Sequence, residues 1–125
     1  MIKILVVDDE QGIRKLLKAL LTREGYEVMT ASTGEETLKI LNSTAFDLMI
    51  LDLSLPDISG HEICKWVREK SSQKKISILI LTGTGNKQNE IDAYNEGGDE
   101  YIKKPFSIEE ILARIKMVLG RAGIK

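Results

Sequence analysis

The sequence predicts an α/β fold, a doubly wound parallel sheet of five strands with helices on both faces. Three observations lead there. Apolar runs recur (Ile4-Leu5-Val6-Val7, Leu48-Met49-Ile50-Leu51 and Ile78-Leu79-Ile80-Leu81), and each stops at a polar residue. Short uninterrupted runs of this kind are what strands buried on both faces look like. Segments with helical periodicity alternate with the strands through short loops, which means right-handed βαβ crossovers and a parallel sheet. No internal repeat, low-complexity block or linker-like stretch interrupts the alternation.

The first strand covers residues 2–7. The first helix runs from about Glu10 to Glu24, with Ile13, Leu16, Leu17, Leu20 and Leu21 as a wide apolar stripe and Gly25 as C-cap. Glu27–Ala31 is a less hydrophobic strand and reads as a sheet edge. Thr33-Gly34-Glu35-Glu36 is a capping box that opens the second helix, with Leu38 and Leu41 inward. The third strand is 47–51. After a loop holding Pro56, Ser59-Gly60-His61-Glu62 is a second capping box, and its helix continues to about Lys70. The fourth strand is 77–81. The fourth helix, near 87–95, is weakly patterned, with Ile91 and Tyr94 as its main apolar residues. Glu100–Lys103 is a short fifth strand. Ser107-Ile108-Glu109-Glu110 caps the fifth helix, whose inward residues are Ile108, Ile111, Leu112, Ile115 and Leu119. The expected strand order is 2-1-3-4-5, that of flavodoxin-like sheets.

Composition narrows the function classes. The 125 residues suit one domain, with 42% hydrophobic and 30% charged residues. A formal charge of −1 gives no basic field for nucleic acid, so direct binding by this domain is not expected. Cys64 is the sole cysteine, which fits a reducing compartment, and no apolar stretch approaches a membrane span. The first apolar run is too short for a signal peptide and leads straight into acids. A cytoplasmic location follows as the expectation.

The chemistry lies at the strand ends. Parallel strands of an open α/β sheet all open their carboxyl ends onto one edge, where ligands bind. Asp8 and Asp9 follow the first strand, Asp52 ends the third and Thr82 the fourth, so these side chains converge. Clustered carboxylates cannot all remain ionised without a cation. Oxygen ligands of this kind suit Mg2+, and the hydroxyl suggests work on phosphate. Taken alone, Asp8-Asp9 could simply cap the first helix; the recurrence of Asp at position 52 argues against that. Lys104, in Lys103-Lys104-Pro105-Phe106 after the fifth strand, can bring an ammonium to the same edge, where it would pair with Asp52 and a transferred phosphoryl oxygen.

These segments together resemble the receiver domain of a two-component response regulator over nearly the whole chain. The resemblance is carried by Val6-Val7-Asp8-Asp9-Glu10, Asp47 through Asp57, Gly60, Leu81-Thr82-Gly83, Gly97-Gly98-Asp99-Glu100-Tyr101 and Lys104-Pro105-Phe106. It implies that Asp52 accepts a phosphoryl group from a sensor histidine kinase or phosphotransfer protein. It also implies that Asp8, Asp9 and Asp52 hold Mg2+ with the backbone carbonyl of Ser54. Lys104 and Thr82 would contact the phosphoryl group, Tyr101 would be the switch aromatic, and Lys104-Pro105 would be cis. The receiver would occupy residues 1–120, with 121–125 a tail or the start of a linker. Gly83 departs from the Ala or Ser more usual in the family, and Gly98 beside Gly97 is expected to loosen the turn into the fifth strand.

The remaining residues read as ordinary structure. His61 is expected to be exposed, Cys64 to be packing, Trp66 to be half buried, and Met29, Met49 and Met117 to fill the core. The expected output surface is the fourth helix, fifth strand and fifth helix. Its mixed charges (Lys87, Glu90, Asp92, Asp99, Lys103, Glu109 and Arg114) suit a homodimer contact. Other classes fit less well. A haloacid-dehalogenase-like phosphatase wants Asp-x-Asp where Asp8-Asp9-Glu10 stands, and a nucleotide or flavin binder wants a phosphate loop where this chain has acids. A phosphate-independent interaction module would not need every site residue intact.

Overall fold

The computed structural model describes residues 1–83 and 87–124, apart from the side chain of Asn89. In chain order the elements are β1 (Lys3–Val7), α1 (Gln11–Arg23), β2 (Glu27–Ala31), α2 (Gly34–Ser43), β3 (Leu48–Asp52), α3 (Gly60–Lys70), β4 (Ser77–Thr82), α4 (Lys87–Asn95), β5 (Glu100–Lys103) and α5 (Ile108–Arg121). One parallel sheet of order β2-β1-β3-β4-β5 joins the strands, as expected from the flavodoxin-like pattern. The third and fourth strands each run one residue further than the apolar runs suggest, so Asp52 and Thr82 are the last residues of their strands.

Alternation of side chains along each strand splits the core in two. Leu5, Val7, Met49, Leu51, Ile78 and Ile80 face the side covered by α2, α3 and α4, with Cys64 and Tyr101 in the same cluster. Ile4, Val6, Leu48, Ile50, Leu79 and Leu81 face α1 and α5. Both faces of β1, β3 and β4 are therefore apolar, which is why those strands read as continuous runs. β2 has alternating exposure, in keeping with an edge. Capping follows the sequence: Thr33, Ser59 and Ser107 each accept an N–H from the glutamate three residues on. Gly25 terminates α1 at φ +95.

Some expected core residues lie at the margins. Leu16 (43% exposed), Ile108 (45%), Met29 (38%) and Met117 (45%) are not enclosed. Leu16 and Ile108 line a shallow apolar groove between α1 and α5, Met29 sits on the edge strand, and Met117 follows the buried Ile115 on the outer side of α5. In α4, Ile91 and Tyr94 are partly exposed, and Ala93 is the buried residue among those described. Met49 and Cys64 are fully enclosed as expected, and Trp66 is half buried. Burial pushes the Cys64 thiol up to about 12, which leaves it unreactive.

The turn from α4 into β5 is fastened rather than loose. Gly98 N–H donates to the Ala93 carbonyl at 2.8 Å and Gly97 N–H to Tyr94 at 3.1 Å, a helix-closing pattern with Gly97 at φ +112. Arg68 of α3 donates to the Gly97 carbonyl from Nε (3.0 Å) and Nη2 (2.6 Å), to the carbonyls of Lys74 and Ile76, and to Asp99. A Cβ on Gly97 would meet the Arg68 side chain at 2.5 Å. His61, expected to be exposed, instead pairs with Glu96 and is one-quarter exposed.

Gly60 opens α3 under β3: a Cβ there would meet the Asp52 carbonyl oxygen and the Leu53 Cα, both at 2.7 Å. Backbone on both contacts leaves nothing that can rotate away. Gly60→Ala should cost about 2–3 kcal/mol in urea unfolding, the range for overpacking at a site with no slack, whereas Gly12→Ala, with nothing nearby, should not destabilise.

Candidate functional site

At the carboxyl edge, β1, β3, β4 and β5 deliver their terminal residues to one place. Asp8 is fully buried, Asp52 is 2% exposed and Thr82 fully buried, so ionisable and polar groups are enclosed directly beyond an apolar core. The backbone sets their positions. Asp8 N–H donates to the Ala31 carbonyl at 3.1 Å, Lys104 N–H to the Thr82 carbonyl at 2.8 Å, and Leu53 N–H to Leu81 at 3.2 Å. The Lys104-Pro105 bond is cis, as the resemblance implies.

Lys104 is the centre of the arrangement. Its Nζ lies 2.8 Å from Asp8 Oδ2, 3.4 Å from Glu10 Oε1 and 3.5 Å from Asp52 Oδ2. Burial alone would lower the ammonium's affinity for its proton, but the contact with Asp8 and the charges of Asp52, Asp8 and Glu10 outweigh it and raise the pKa overall. Asp52 is held above the usual carboxylate range. Burial is the main cause and the Asp8 and Asp9 charges add to it, while the Ser54 N–H at 3.1 Å from Oδ1 and the charge of Lys104 pull the other way. Asp8 Oδ1 accepts the Glu10 N–H at 2.9 Å, and Arg14 Nη1 donates to the Asp8 carbonyl at 2.8 Å. Asp8 Oδ2 has no partner in good hydrogen-bond geometry, so the nearby ammonium acts on it by charge.

Carboxylate oxygens of Asp8, Asp9 and Glu10 lie within 4.8 Å of one another. Acid clusters are common on protein surfaces, but this one includes the fully enclosed carboxylate of Asp8, a hard oxygen donor that a hard cation would suit. Glu10 is the member sequence reasoning missed; it passed as the start of α1, yet it contacts Lys104. Asp52 stands across the ammonium from Asp8, outside that tight trio. Asp9 and Ser54 are exposed at the rim. Arg14 was also missed, because a basic residue one turn into a helix carries no sequence signal of reaching back to a strand end.

Tyr101 is 6% exposed. Burial raises its phenol pKa, as does the Glu90 charge, against the lowering effect of a hydrogen bond with Thr82. The last residue of β4 is thus linked to the side chain of the neighbouring strand. On the other flank of β5, Glu100 receives Arg114 and Arg121, each at 2.9 Å, and Tyr94 at 3.1 Å.

Comparison with known proteins places this geometry in context. The model of the response regulator receiver domain matches residues 4–116. The transcriptional regulatory protein ResD of Bacillus subtilis is 42% identical over 121 residues, 97% of this chain and 49% of its own length. The alkaline phosphatase synthesis transcriptional regulatory protein PhoP of the same organism is 43% identical over 122 residues, 98% of this chain and 50% of its own. The chain spans about half the length of these curated relatives. Among solved structures, response regulator TrrA of Thermotoga maritima in complex with Mg(2+)-BeF has a TM-score of 0.84 at 42% identity, covering 95% of this chain and 100% of that one. A two-component response regulator from Clostridium difficile reaches 0.91 at 30% identity, covering 98% of each chain.

The raised pKa of Asp52 has a sign for stability. A native carboxyl that takes up its proton at higher pH than the unfolded chain makes the fold gain stability as pH falls through the native value. The gain ends near pH ~4, where the unfolded carboxyl also protonates. In chelator, Asp52→Asn should therefore raise Tm by a few degrees at neutral pH, and the difference from wild type should shrink on acidification. A lower Tm for Asp52→Asn at neutral pH would contradict this.

Proposed function

The chain belongs to the response regulator receiver domains, and from that membership we propose that Asp52 is its phosphoacceptor, supplied by a sensor histidine kinase or phosphotransfer protein carrying phosphohistidine. One observation carries the assignment. Asp52 ends the central strand β3, almost fully enclosed, with the Lys104 ammonium 3.5 Å from its Oδ2 and the Asp8–Asp9–Glu10 group beside it.

A carboxylate oxygen of Asp52 attacks phosphorus, and the phosphorus–nitrogen bond of the donor breaks with its electron pair going to the imidazole nitrogen. Such transfers need positioning and charge neutralisation more than covalent help. Lys104 supplies one positive charge at the receiving end, and Thr82 supplies a hydroxyl. Asp8, Asp9 and Asp52, with the Ser54 carbonyl, would hold Mg2+, with Glu10 at its margin; when bound, the ion offsets charge on the carboxylates and phosphoryl oxygens.

Transfer leaves roughly two negative charges on the Asp52 side chain. Lys104 then pairs with the phosphoryl group, and the Thr82 hydroxyl turns from the Tyr101 phenol to a phosphoryl oxygen. Two or three charge-assisted hydrogen bonds at ~1.5–3 kcal/mol each reach the ~5.5 kcal/mol that inverts a 1:99 equilibrium. The face of α4, β5 and α5 receives the change first, because Tyr101 lies on β5 and Thr82 precedes α4. This face is the proposed output surface and the proposed homodimer contact. Arg114 already serves Glu100 and Glu110 within the chain, so a second copy would be met mainly by Lys87, Glu90, Asp92, Lys103 and Glu109. Residues 1–120 form the receiver in this reading and 121–125 begin a linker, in a cytoplasmic protein whose output is proposed to be transcriptional.

Acetyl phosphate with Mg2+ should add one phosphoryl group to the intact mass, and Asp52→Asn should abolish it; an adduct persisting in that variant would sink the assignment. Lys104→Ala should slow the reaction by about 100-fold, the usual loss on removing one preorganised charge-stabilising group. Beryllofluoride should change hydrogen exchange mainly on α4, β5 and α5. Changes confined to α1 and α2 would refute the proposed output surface, and a monomer in the presence of beryllofluoride would refute the dimer.

A further inference from the structure

We propose that Asp57 is a positioning residue for the metal site: it staples the turn that carries Ser54 to the N-terminus of α2, and so sets where the Ser54 carbonyl stands. The inference rests on the reading of Ser54 as a Mg2+ ligand.

Asp57 is exposed, yet its carboxylate is fully engaged by backbone. Oδ1 accepts the Gly34 N–H at 2.7 Å and its neighbour Ile58 N–H at 2.9 Å, and Oδ2 accepts the Glu35 N–H at 2.9 Å. The Glu35 and Gly34 N–H donors lower the carboxyl pKa. Gly34 and Glu35 are the first two residues of α2, whose amides point along the axis without intrahelical acceptors. The loop presses close at that point. A Cβ on Gly34 would come within 2.7 Å of Ile58 Cβ and 3.2 Å of Asp57 Oδ1.

The other caps of α2 serve different amides, so Asp57 both completes the helix N-terminus and reaches it from another segment. Thr33 already accepts the Glu36 N–H at 3.1 Å, and Glu36 reaches back to the Ser32 N–H at 2.7 Å. What Asp57 adds is a tie on its own segment. That segment is fixed at its start by Leu53 N–H to Leu81 (3.2 Å) and Ser54 N–H to Asp52 (3.1 Å), and at its end by Gly60 N–H to Leu53 (3.0 Å). Between these points Leu55 and Ile58 pack against the core, and the side chain of Asp57 adds a polar anchor that fixes the tip to α2. It does so on a helix held to the sheet by the buried Thr37 and Leu41. Groups that orient a metal ligand from behind are worth 10-fold or more in affinity in well-built sites.

The two roles, helix cap and loop staple, separate by comparing two caps of the same helix. Thr33→Ala removes the other capping side chain without touching the Ser54 turn. Half-saturating Mg2+ would be read from amide chemical shifts and, independently, from the Mg2+ dependence of phosphorylation by acetyl phosphate. Thermal unfolding would measure what each variant costs in stability. Asp57→Ala should need about tenfold more Mg2+ than wild type, Asp57→Asn an intermediate amount, and Thr33→Ala the wild-type amount despite a comparable loss in Tm.

Equal Mg2+ shifts in Asp57→Ala and Thr33→Ala would overturn the inference, since helix stability would then account for both. So would a deficit in Asp57→Ala that disappears at about 1 M salt, where simple charge effects are screened. A wild-type titration with an Asp57→Ala curve lying on it removes this inference and leaves the phosphoacceptor site standing. A wild type that neither binds nor requires Mg2+ removes both.

Discussion

Enclosure of β1, β3 and β4 on both faces is the constraint from which the rest of the molecule follows. Side chains along these strands have no solvent to turn to, so every strand position must be apolar until the backbone emerges at the sheet edge. Polar groups can appear only there, and in a parallel sheet the emergent ends coincide. Asp8, Asp52 and Thr82 are consequently crowded together and buried. Burying and crowding acids is unfavourable in itself, as the raised pKa of Asp52 records, burial first and the Asp8 and Asp9 charges after it. Lys104 relieves part of it, standing 2.8 Å from Asp8 and 3.5 Å from Asp52. The fold has thus been built around a repulsion that a cation or a charged ligand can rebalance.

Much of this was legible in the sequence because buried parallel strands have a one-dimensional signature. Apolar runs mark both faces at once, and the residue that ends each run marks the edge. Hence the parallel sheet, the capping residues Thr33, Ser59 and Ser107, and the convergence of Asp8, Asp52, Thr82 and Lys104 could be read without coordinates, while the strand order came from the flavodoxin-like pattern as a whole. Contacts made by other long polar side chains were not legible. Glu10 reaches Lys104, Arg14 reaches the Asp8 carbonyl, and Arg68 gathers carbonyls from two loops. Nothing in their local sequence distinguishes them from solvated surface residues, because their partners are 6 to 94 positions away.

Helical periodicity also overstates burial at the ends and edges of elements. Leu16 and Ile108 lie on the expected stripes of α1 and α5, yet both stay substantially exposed, lining a groove between the two helices. For α4 the weak pattern was informative in another way. The helix buries Ala93 and little else among its described residues, so polar ties contribute to its position where an apolar face does not.

Three of those ties gather at one end. His61 pairs with Glu96, Arg68 holds Gly97, and Tyr94 meets Glu100, each at or just beyond the C-terminal end of α4. The nine residues of α4 span about 13 Å at 1.5 Å per residue. A rod anchored at one end is a lever: a rotation of roughly 10° about the anchored end carries the far end of such a helix ~2 Å. Fastening the α4–β5 turn to α3 therefore converts a small angular change into a displacement largest at Lys87, on the side of the helix nearest the strand end that carries Thr82.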